Sequence, residues 1–537
     1  LRSFLFIIFI PFKSFILINF LFADEPMSAI DWLAKKINDP PVFYTYPSEI
    51  DENSNIEIEK MVLPNISKNS IGIYPSIKIG INSDIWKNNN EIEISTILKK
   101  IRISDLYYLN RLLKRILLIE SDPPIIAVGE KFSGTIFLRQ RILKLIQMGA
   151  LDDAEALILD SEPTFDPNLT DLWSEISFLT YRFERFCKAI LNGYHNSLEP
   201  AHKIICLARS GDWNAAALSL ATFSSINEID SDHEKLLINY LDHEAELEII
   251  NKDKCEEDKS VIIYLCNFSN INTRIPSYGV KFLYNNLGRG KSIRSRIVAS
   301  EELVKSGALN PNILFSTYKI KQPSTSGGVW ARAKLVQELD RIIQYDFNNY
   351  QYLSNHLNIM IDEFLKNKLL TAFAISYGKK LKSSISNFQP LNDLILITNI
   401  LTGEYSDLLE RDIIIDLKLK NLISVLNKRD KHLLEIHLQE SLKTIRNKDY
   451  TELQNAILKA SNGIYPENVT FMHETKNDYS NQDGLVLLNA ILKISNSLNY
   501  DITDMQTGLA SLVRLGLLND FKAISNELLI MEYFKKI

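Results

Sequence analysis

The sequence predicts an all-α protein, an irregular α-solenoid or superhelix of helical hairpins that carries an extended, proline-containing N-terminal arm. Three observations predict it. Residues 137–159 place apolar side chains at helical spacing on both sides of Gly149, which is typical of two helices joined by a tight turn. Similar patterns recur along the chain. A hydrophobic content of 46% and a charged content of 23% indicate that the chain folds. At 537 residues it is too long to form a single compact core.

The first 23 residues have the features of a secretory signal peptide. Arg2 precedes a long apolar run that ends at the small residue Ala23, and acidic residues follow at once. We therefore predict a signal peptide over 1–23 and a periplasmic protein. The alternative is a retained inner-membrane anchor, which is disfavoured because Lys13 lies in the middle of the apolar run.

Residues 24–95 are predicted to form the extended N-terminal arm. Prolines punctuate short isoleucine-rich runs in this region. The alternation of Ile77, Ile79 and Ile81 favours a strand or an extended segment lying on the helical body.

The remaining chain is predicted to be helical, as a repeat domain over 96–390 and a C-terminal block over 391–537. Residues 98–119 have the apolar stripe of one amphipathic helix, and residues 172–191 have that of another. The hairpin predicted over 201–223 turns at Gly211, and Asp212 caps its second helix.

Further helix-turn-helix patterns are looser and irregularly spaced. The chain is therefore similar to a tetratricopeptide array in character but lacks its fixed period. These patterns lie at 303–315, 445–460 and 512–529.

The chain contains four cysteines and no CxxC pair. In an oxidising compartment, Cys187 with Cys206 and Cys255 with Cys266 are the pairs open to bridging. We expect instead four small, buried, unbridged side chains, because cysteine is among the most buried residue types.

A charge asymmetry provides the first candidate partner-binding site. Residues 228–258 contain twelve acids and three lysines, whereas residues 260–300 contain no acid and six basic residues. We expect the two blocks mainly to pair with each other. The alternative is an anionic partner that docks on Arg289, Lys291 and Arg294.

A polar loop provides the second candidate. Ser326, Gly327 and Gly328 end a flexible run, and Trp330 follows at the start of an amphipathic helix. The simpler interpretation is that Trp330 attaches the loop to the helical body. The alternative is a rim loop that presents an aromatic anchor to a partner.

The sequence motifs that would indicate phosphate binding or zinc catalysis are incomplete. The GRGKS sequence at 288–292 lacks the first glycine of a phosphate loop, since position 285 is Asn285. The HEAEL sequence at 243–247 lacks the second histidine of a zinc-protease helix. We predict no catalytic residues, no metal and no cofactor, and a net charge of −6 disfavours nucleic acid.

Several segments together resemble a known group of sequences, an uncharacterised family of alphaproteobacterial exported proteins often labelled "antifreeze glycopeptide polyprotein". The resemblance runs from about residue 28 to 390 and implies export, but no catalytic residues. The segments that carry it are SAIDWL (28–33), SIGIYPSIKIGINSDIW (70–86), LIESDPP (118–124), FLRQRILKLIQMGALDDAEALI (137–158), CLARSGDWNAAALSL (206–220) and SGGVWARAKLVQELD (326–340).

The sequence thus predicts a non-enzymatic periplasmic scaffold that binds a protein partner in the cell envelope. The alternative is a peptidoglycan-acting or glycan-binding protein with a superhelical body. A third possibility is an accessory subunit of a membrane complex, attached through residues 1–23 if these are retained.

Overall fold

The computed structural model describes residues 67–163, 166, 169–193, 198–242, 255, 258–269, 271, 279–346, 348–385, 388–405, 408, 451–466, 483–497 and 501–535. Most of these residues are helical, so the predicted all-α class is confirmed. The predicted signal peptide and the arm up to residue 66 lie outside the described residues.

The described chain begins with a short mixed segment. A 3-10 turn covers Lys68–Ser70, and two short parallel strands, β1 (Tyr74–Pro75) and β2 (Ile119–Glu120), pair with Tyr74 opposite Ile119. Helix α1 covers Ser76–Ile79, so Ile77 and Ile79 are helical and not part of the extended segment that we predicted. This helix ends at Gly80, whose φ is 75°.

The single helix predicted over 98–119 is wrong. The region contains the end of helix α2 (Glu91–Lys100), a non-helical linker and helix α3 (Tyr107–Leu117). Side chains hold the linker: the amide of Ser104 donates to Asn110 Oδ1 at 2.9 Å, and the Ser104 hydroxyl accepts from the Leu106 amide. Such local hydrogen bonds compete with a continuous helix.

The predicted hairpin around Gly149 is confirmed. Helix α4 covers Ile136–Met148 and helix α5 covers Leu151–Asp160. Gly149 has a φ of 76°, and its amide donates to the Ile146 carbonyl. A glycine reaches this left-handed conformation without steric penalty, which allows the abrupt turn.

The next region contains six helices. They are α6 (Thr170–Thr180), α7 (Glu184–Leu191), α8 (Pro200–Arg209), α9 (Trp213–Ser225), α10 (Ser231–Leu241) and α11 (Ser260–Phe268). The single helix predicted over 172–191 is therefore wrong, because Tyr181 has a φ of 59° and ends α6. The hairpin at 201–223 is confirmed, and the Asp212 side chain accepts from the Ala215 amide at 3.0 Å.

All four cysteines form disulfide bonds, so the expectation of unbridged cysteines is wrong. Cys187 joins Cys206 across α7 and α8, with their Cα atoms 5.0 Å apart. Cys255 joins Cys266 of α11, with their Cα atoms 5.9 Å apart. Packing brings both pairs within bridging distance, and sequence spacing does not show this.

A 3-10 segment at Val280–Leu287 leads into the remaining helices. These are α12 (Ile293–Lys305), α13 (Pro311–Thr317), α14 (Val329–Tyr345), α15 (Tyr350–Lys366), α16 (Leu370–Leu381), α17 (Gln389–Thr402), α18 (Glu452–Ser461), α19 (Asp483–Ser497), α20 (Ile502–Arg514) and α21 (Leu518–Lys535). The helix-turn-helix patterns at 303–315 and 512–529 are confirmed. Of the pattern at 445–460, only its second helix lies within the described residues.

Helices adjacent in sequence pack against each other through much of the body, as in the successive pairs from α4 to α11 that the structure describes. Two contacts run over much longer distances in sequence: α19 packs on α2, and α21 packs on α3. Glu527 of α21 accepts hydrogen bonds from the amides of Tyr107 and Tyr108, the first residues of α3, at 3.0 and 3.1 Å. The Thr371 hydroxyl donates to the same carboxyl group at 2.6 Å.

A buried polar network attaches the first described segment to α4. Arg141 is fully buried and donates to the carbonyls of Leu117, Ile119 and Ile71 at 2.7–2.8 Å. Lys144, also buried, donates to the Ile101 carbonyl at 2.6 Å. Burial lowers the pKa of Lys144 to about 8. These two cations stabilise the non-helical linkers, since a buried carbonyl needs a donor.

Candidate functional site

A cavity of about 650 Å³ opens where α5, α6, α7 and the end of α8 meet. We call it the Arg182 cavity, because Arg182, in the turn between α6 and α7, lines it and pairs with two of its acidic residues. The turn is made by Tyr181, which adopts a left-handed backbone conformation that only a few per cent of non-glycine residues show. Such outliers concentrate at functional sites and justify close inspection of the cavity.

One wall of the cavity is aromatic and apolar. The rings of Tyr181 and Phe183 stack with centroids 6.2 Å apart and an angle of 15° between their planes. Trp173, which is almost fully buried, also lines the cavity, together with Leu159 and Ala156 of α5. Tyr181 is 37% exposed and gives the wall an aromatic surface that a ligand can contact.

Other residues that line the cavity are charged and pair with Arg182. Its guanidinium donates to Asp152 at 2.8 Å and forms a second ion pair with Glu155. Burial lowers the pKa of Arg182, but these hydrogen bonds outweigh it and raise the pKa above its usual value. Tyr284 also donates to Asp152 at 2.6 Å, which draws the 3-10 segment to the rim.

Three further charged residues line the cavity and lack an ion pair within the part of the chain that the structure describes. They are Glu184 and Arg185 in the first turn of α7 and Arg209 at the end of α8. The Arg209 guanidinium lies 4.4 Å from the centre of the Phe183 ring. All three residues are exposed, so these charges face solvent or a ligand.

Sequence reasoning missed this cavity. The turn at Gly149 predicts the hairpin that contains Asp152 but gives its acidic residues no functional role. The single helix predicted over 172–191 leaves no place for the turn that carries Arg182. A non-glycine residue in a left-handed conformation leaves no mark in a single sequence, so no signal was available.

The predicted loop before α14 has a mixed outcome. Ser326, Gly327 and Gly328 are exposed, with φ values of 75° and 58° at the two glycines. Trp330 is half-buried and packs against the hydrophobic core, and its amide donates to the Gly327 carbonyl at 3.2 Å. The tryptophan thus attaches the loop to the helical body, which was the simpler interpretation.

The predicted basic block is exposed. Arg289, Lys291 and Arg294 are solvent-exposed, and none of them has an ion pair with another described residue. Lys281 does bridge the two charge blocks, at 2.8 Å from Asp258, and also pairs with Glu175 at 3.0 Å. Pairing between the two charge blocks therefore involves Lys281. Arg289, Lys291 and Arg294 remain without an ion pair among the described residues.

The described residues contain no group of three or more histidine, cysteine, aspartate or glutamate side chains arranged to hold a metal ion. None of the helices within those residues combines the length and apolar character needed to cross a membrane. Comparison with known proteins finds no matching family model, no matching curated protein and no matching solved structure. The class that the structure establishes is an all-α protein.

Proposed function

We propose that this protein is an exported, non-enzymatic helical-repeat scaffold that binds an acidic protein partner in the cell envelope. The observation that carries the proposal is the exposed group of Arg289, Lys291 and Arg294, which has no ion-pair partner among the described residues. A cluster of one sign of charge attracts a partner of the opposite sign and accelerates its association.

Export to the periplasm is supported by the two disulfide bonds, which pair all four cysteines. Disulfides persist in oxidising compartments such as the bacterial periplasm and are rare in the cytosol. Residues 1–23 supply the targeting signal in this proposal. Sequencing of the mature N-terminus distinguishes cleavage from a retained membrane attachment.

The scaffold architecture that we propose is an irregular α-solenoid with an extended N-terminal arm. The successive packing of neighbouring helices from α4 to α11 supports it, since repeat proteins place each unit mainly against its neighbours. The exposed residues Ser326, Gly327 and Gly328 form a second candidate contact surface for the partner.

The test is crosslinking in intact cells, followed by purification and mass spectrometry of the crosslinked partners. We compare the natural protein with the triple variant Arg289→Glu, Lys291→Glu, Arg294→Glu. We expect recovery of an envelope protein to fall about tenfold or more in the variant, which corresponds to at least about 1.4 kcal/mol of binding free energy. Added salt weakens the natural interaction because exposed charges are screened.

The matched control reverses three exposed lysines elsewhere, Lys78, Lys99 and Lys334, and gives the same change in net charge. It should leave partner recovery unchanged. Equal loss in both variants would show a general charge effect, and equal recovery in all three proteins would refute the role of the basic block.

A second candidate function, binding of glycan or action on peptidoglycan, is favoured by the aromatic wall of the Arg182 cavity. Of the two functions, glycan binding fits this site better than hydrolysis, because Asp152 and Glu155 both pair with Arg182. A general acid needs a carboxyl group in an apolar surrounding that keeps it protonated. Zymography on cell-wall material tests this alternative: clearing by the purified protein would contradict the scaffold proposal.

A further inference from the structure

We propose that the Arg182 cavity binds short peptides by their free carboxylate, which Arg185 and Arg209 hold. Both guanidinium groups line the cavity and lack a carboxylate partner among the described residues. The planar fork of a guanidinium matches the two oxygens of a carboxylate and binds them with paired hydrogen bonds. The site is separate from the basic block and from the partner proposed for it.

The remaining charges select a ligand with little net charge. Arg182 pairs with both Asp152 and Glu155 and balances one of their two negative charges, and Tyr284 donates a further hydrogen bond to Asp152. Glu184 has no ion pair within the described chain and adds a negative charge beside Arg185. The negative charge of Glu184 would repel a phosphate ester, whereas a peptide carries one carboxylate and one ammonium group.

The shape of the cavity favours a peptide of a few residues. Its volume of about 650 Å³ lies within the range of small-molecule sites, which is roughly 300–1,000 Å³. Tyr181, which is 37% exposed, and the half-buried Leu159 offer aromatic and apolar surface to the side chains of such a peptide. The backbone polar groups of the peptide face the open, solvated side.

Two contacts restrain the two arginine-bearing helices relative to each other. The disulfide between Cys187 and Cys206 joins the helices that carry the two arginines. The Phe183 ring supports the Arg209 guanidinium by a cation–π contact at 4.4 Å. A site with this rigidity loses less conformational entropy on binding than a mobile one does.

The experiment uses the purified full-length protein with its disulfides intact. Two pools of random tetrapeptides are compared in equilibrium dialysis with mass spectrometry, one with free C-terminal carboxylates and the other amidated. We expect retention from the free-carboxylate pool only. Equal retention of the amidated pool, or no retention of either pool at about 1 mM protein, overturns the proposal.

Variants then locate the site. In Arg185→Ala with Arg209→Ala we expect peptide retention to fall at least about tenfold. The control, Lys188→Ala with Lys203→Ala, changes exposed lysines on the same two helices and should retain peptides fully. A third variant, Arg185→Lys with Arg209→Lys, keeps the positive charges and should recover part of the binding, which separates ligand contact from a folding defect.

Inorganic phosphate provides the last check. We expect 10-fold excess phosphate over peptide to displace little of the bound peptide, because Glu184 opposes a multiply charged anion. Full displacement would identify a general anion site and overturn the assignment to peptides. Loss of partner crosslinking at the basic block would leave these results unchanged, so the two proposals fail separately.

Discussion

Replacing Glu527 by Gln should change the pH dependence of stability in a direction that the structure specifies. Glu527 is fully buried in α21 and accepts hydrogen bonds from the amides of Tyr107 and Tyr108 and from the Thr371 hydroxyl. Burial outweighs these hydrogen bonds and raises the pKa of Glu527 from its ordinary 4.5 to about 7. The carboxyl group therefore binds its proton more tightly in the folded protein than in the unfolded chain.

The size of the effect follows from proton linkage. Each pKa unit corresponds to about 1.36 kcal/mol, so a rise from 4.5 to about 7 corresponds to about 3 kcal/mol. Because the folded pKa is the higher one, this stabilisation is fully present below pH 4.5. It is lost as the pH rises to about 7 and stays lost above that pH.

The assay is urea unfolding of the natural protein and of Glu527→Gln between pH 4 and pH 8. Glutamine resembles the protonated carboxyl group and does not titrate. We expect the free energy of unfolding of the variant, relative to the natural protein, to increase by about 3 kcal/mol over this range. Subtracting the two proteins removes the contributions of all other titrating groups.

Two results would refute this reasoning. A difference that stays constant with pH would show that the pKa of Glu527 is ordinary in the folded protein. A difference that falls as the pH rises would show that the three donors and the N-terminus of α3 stabilise the carboxylate more than burial destabilises it.

Three further predictions concern stability. Removing the bond between Cys187 and Cys206, by changing both to Ala, should lower the free energy of unfolding by about 3 kcal/mol, measured by urea unfolding, because the bond closes a loop of 19 residues. Gly484→Ala should lower the melting temperature, because the added Cβ would overlap a ring carbon of Trp86; an unchanged calorimetric transition would contradict this. Arg332→Met should lower the free energy of unfolding in urea by about 3–5 kcal/mol. Arg332 pairs with the buried carboxylate of Glu301 at 2.7 Å, and the substitution leaves that carboxylate without its cation.

The parts of the fold predicted from the sequence are those fixed by neighbours along the chain. The turns at Gly149 and Gly211 were predicted because a glycine between two apolar helical runs marks a left-handed turn locally. Asp212 was predicted as a cap for the same reason, and its hydrogen bond to the Ala215 amide is present.

The parts that were missed depend on distant contacts. Arg141 and Lys144 are charged, which favours a solvated helix face, yet both are buried because the carbonyls of non-helical linkers need donors. The cysteine pairs were recognised as open to bridging, but only the packing of α7 on α8 shows Cys187 beside Cys206.

The two candidate sites also differ in whether they could be predicted from local sequence. Exposure of Arg289, Lys291 and Arg294 agrees with a charge block that lacks acids in its own sequence. The Arg182 cavity draws its charged groups from α5, α7, α8 and the turn before α7, and no single stretch of sequence contains them. A site assembled from several helices is visible only once the helices are packed.

The contacts of α21 bear on how the proposed scaffold keeps its surfaces in place. Asn526 donates to the Ile400 carbonyl at 2.8 Å, and Tyr108 donates to the Leu401 carbonyl at 2.7 Å. Together with Glu527, these bonds join α21, the end of α17 and the start of α3, which are separated by more than a hundred residues of sequence. The bond from Tyr108 to Leu401 and the bonds of Glu527 with α3 cross the boundary predicted at residue 391. Because buried polar groups that lose a partner destabilise a fold, removal of α21 would leave the first amides of α3 without their acceptor and weaken the body that holds the proposed binding surfaces.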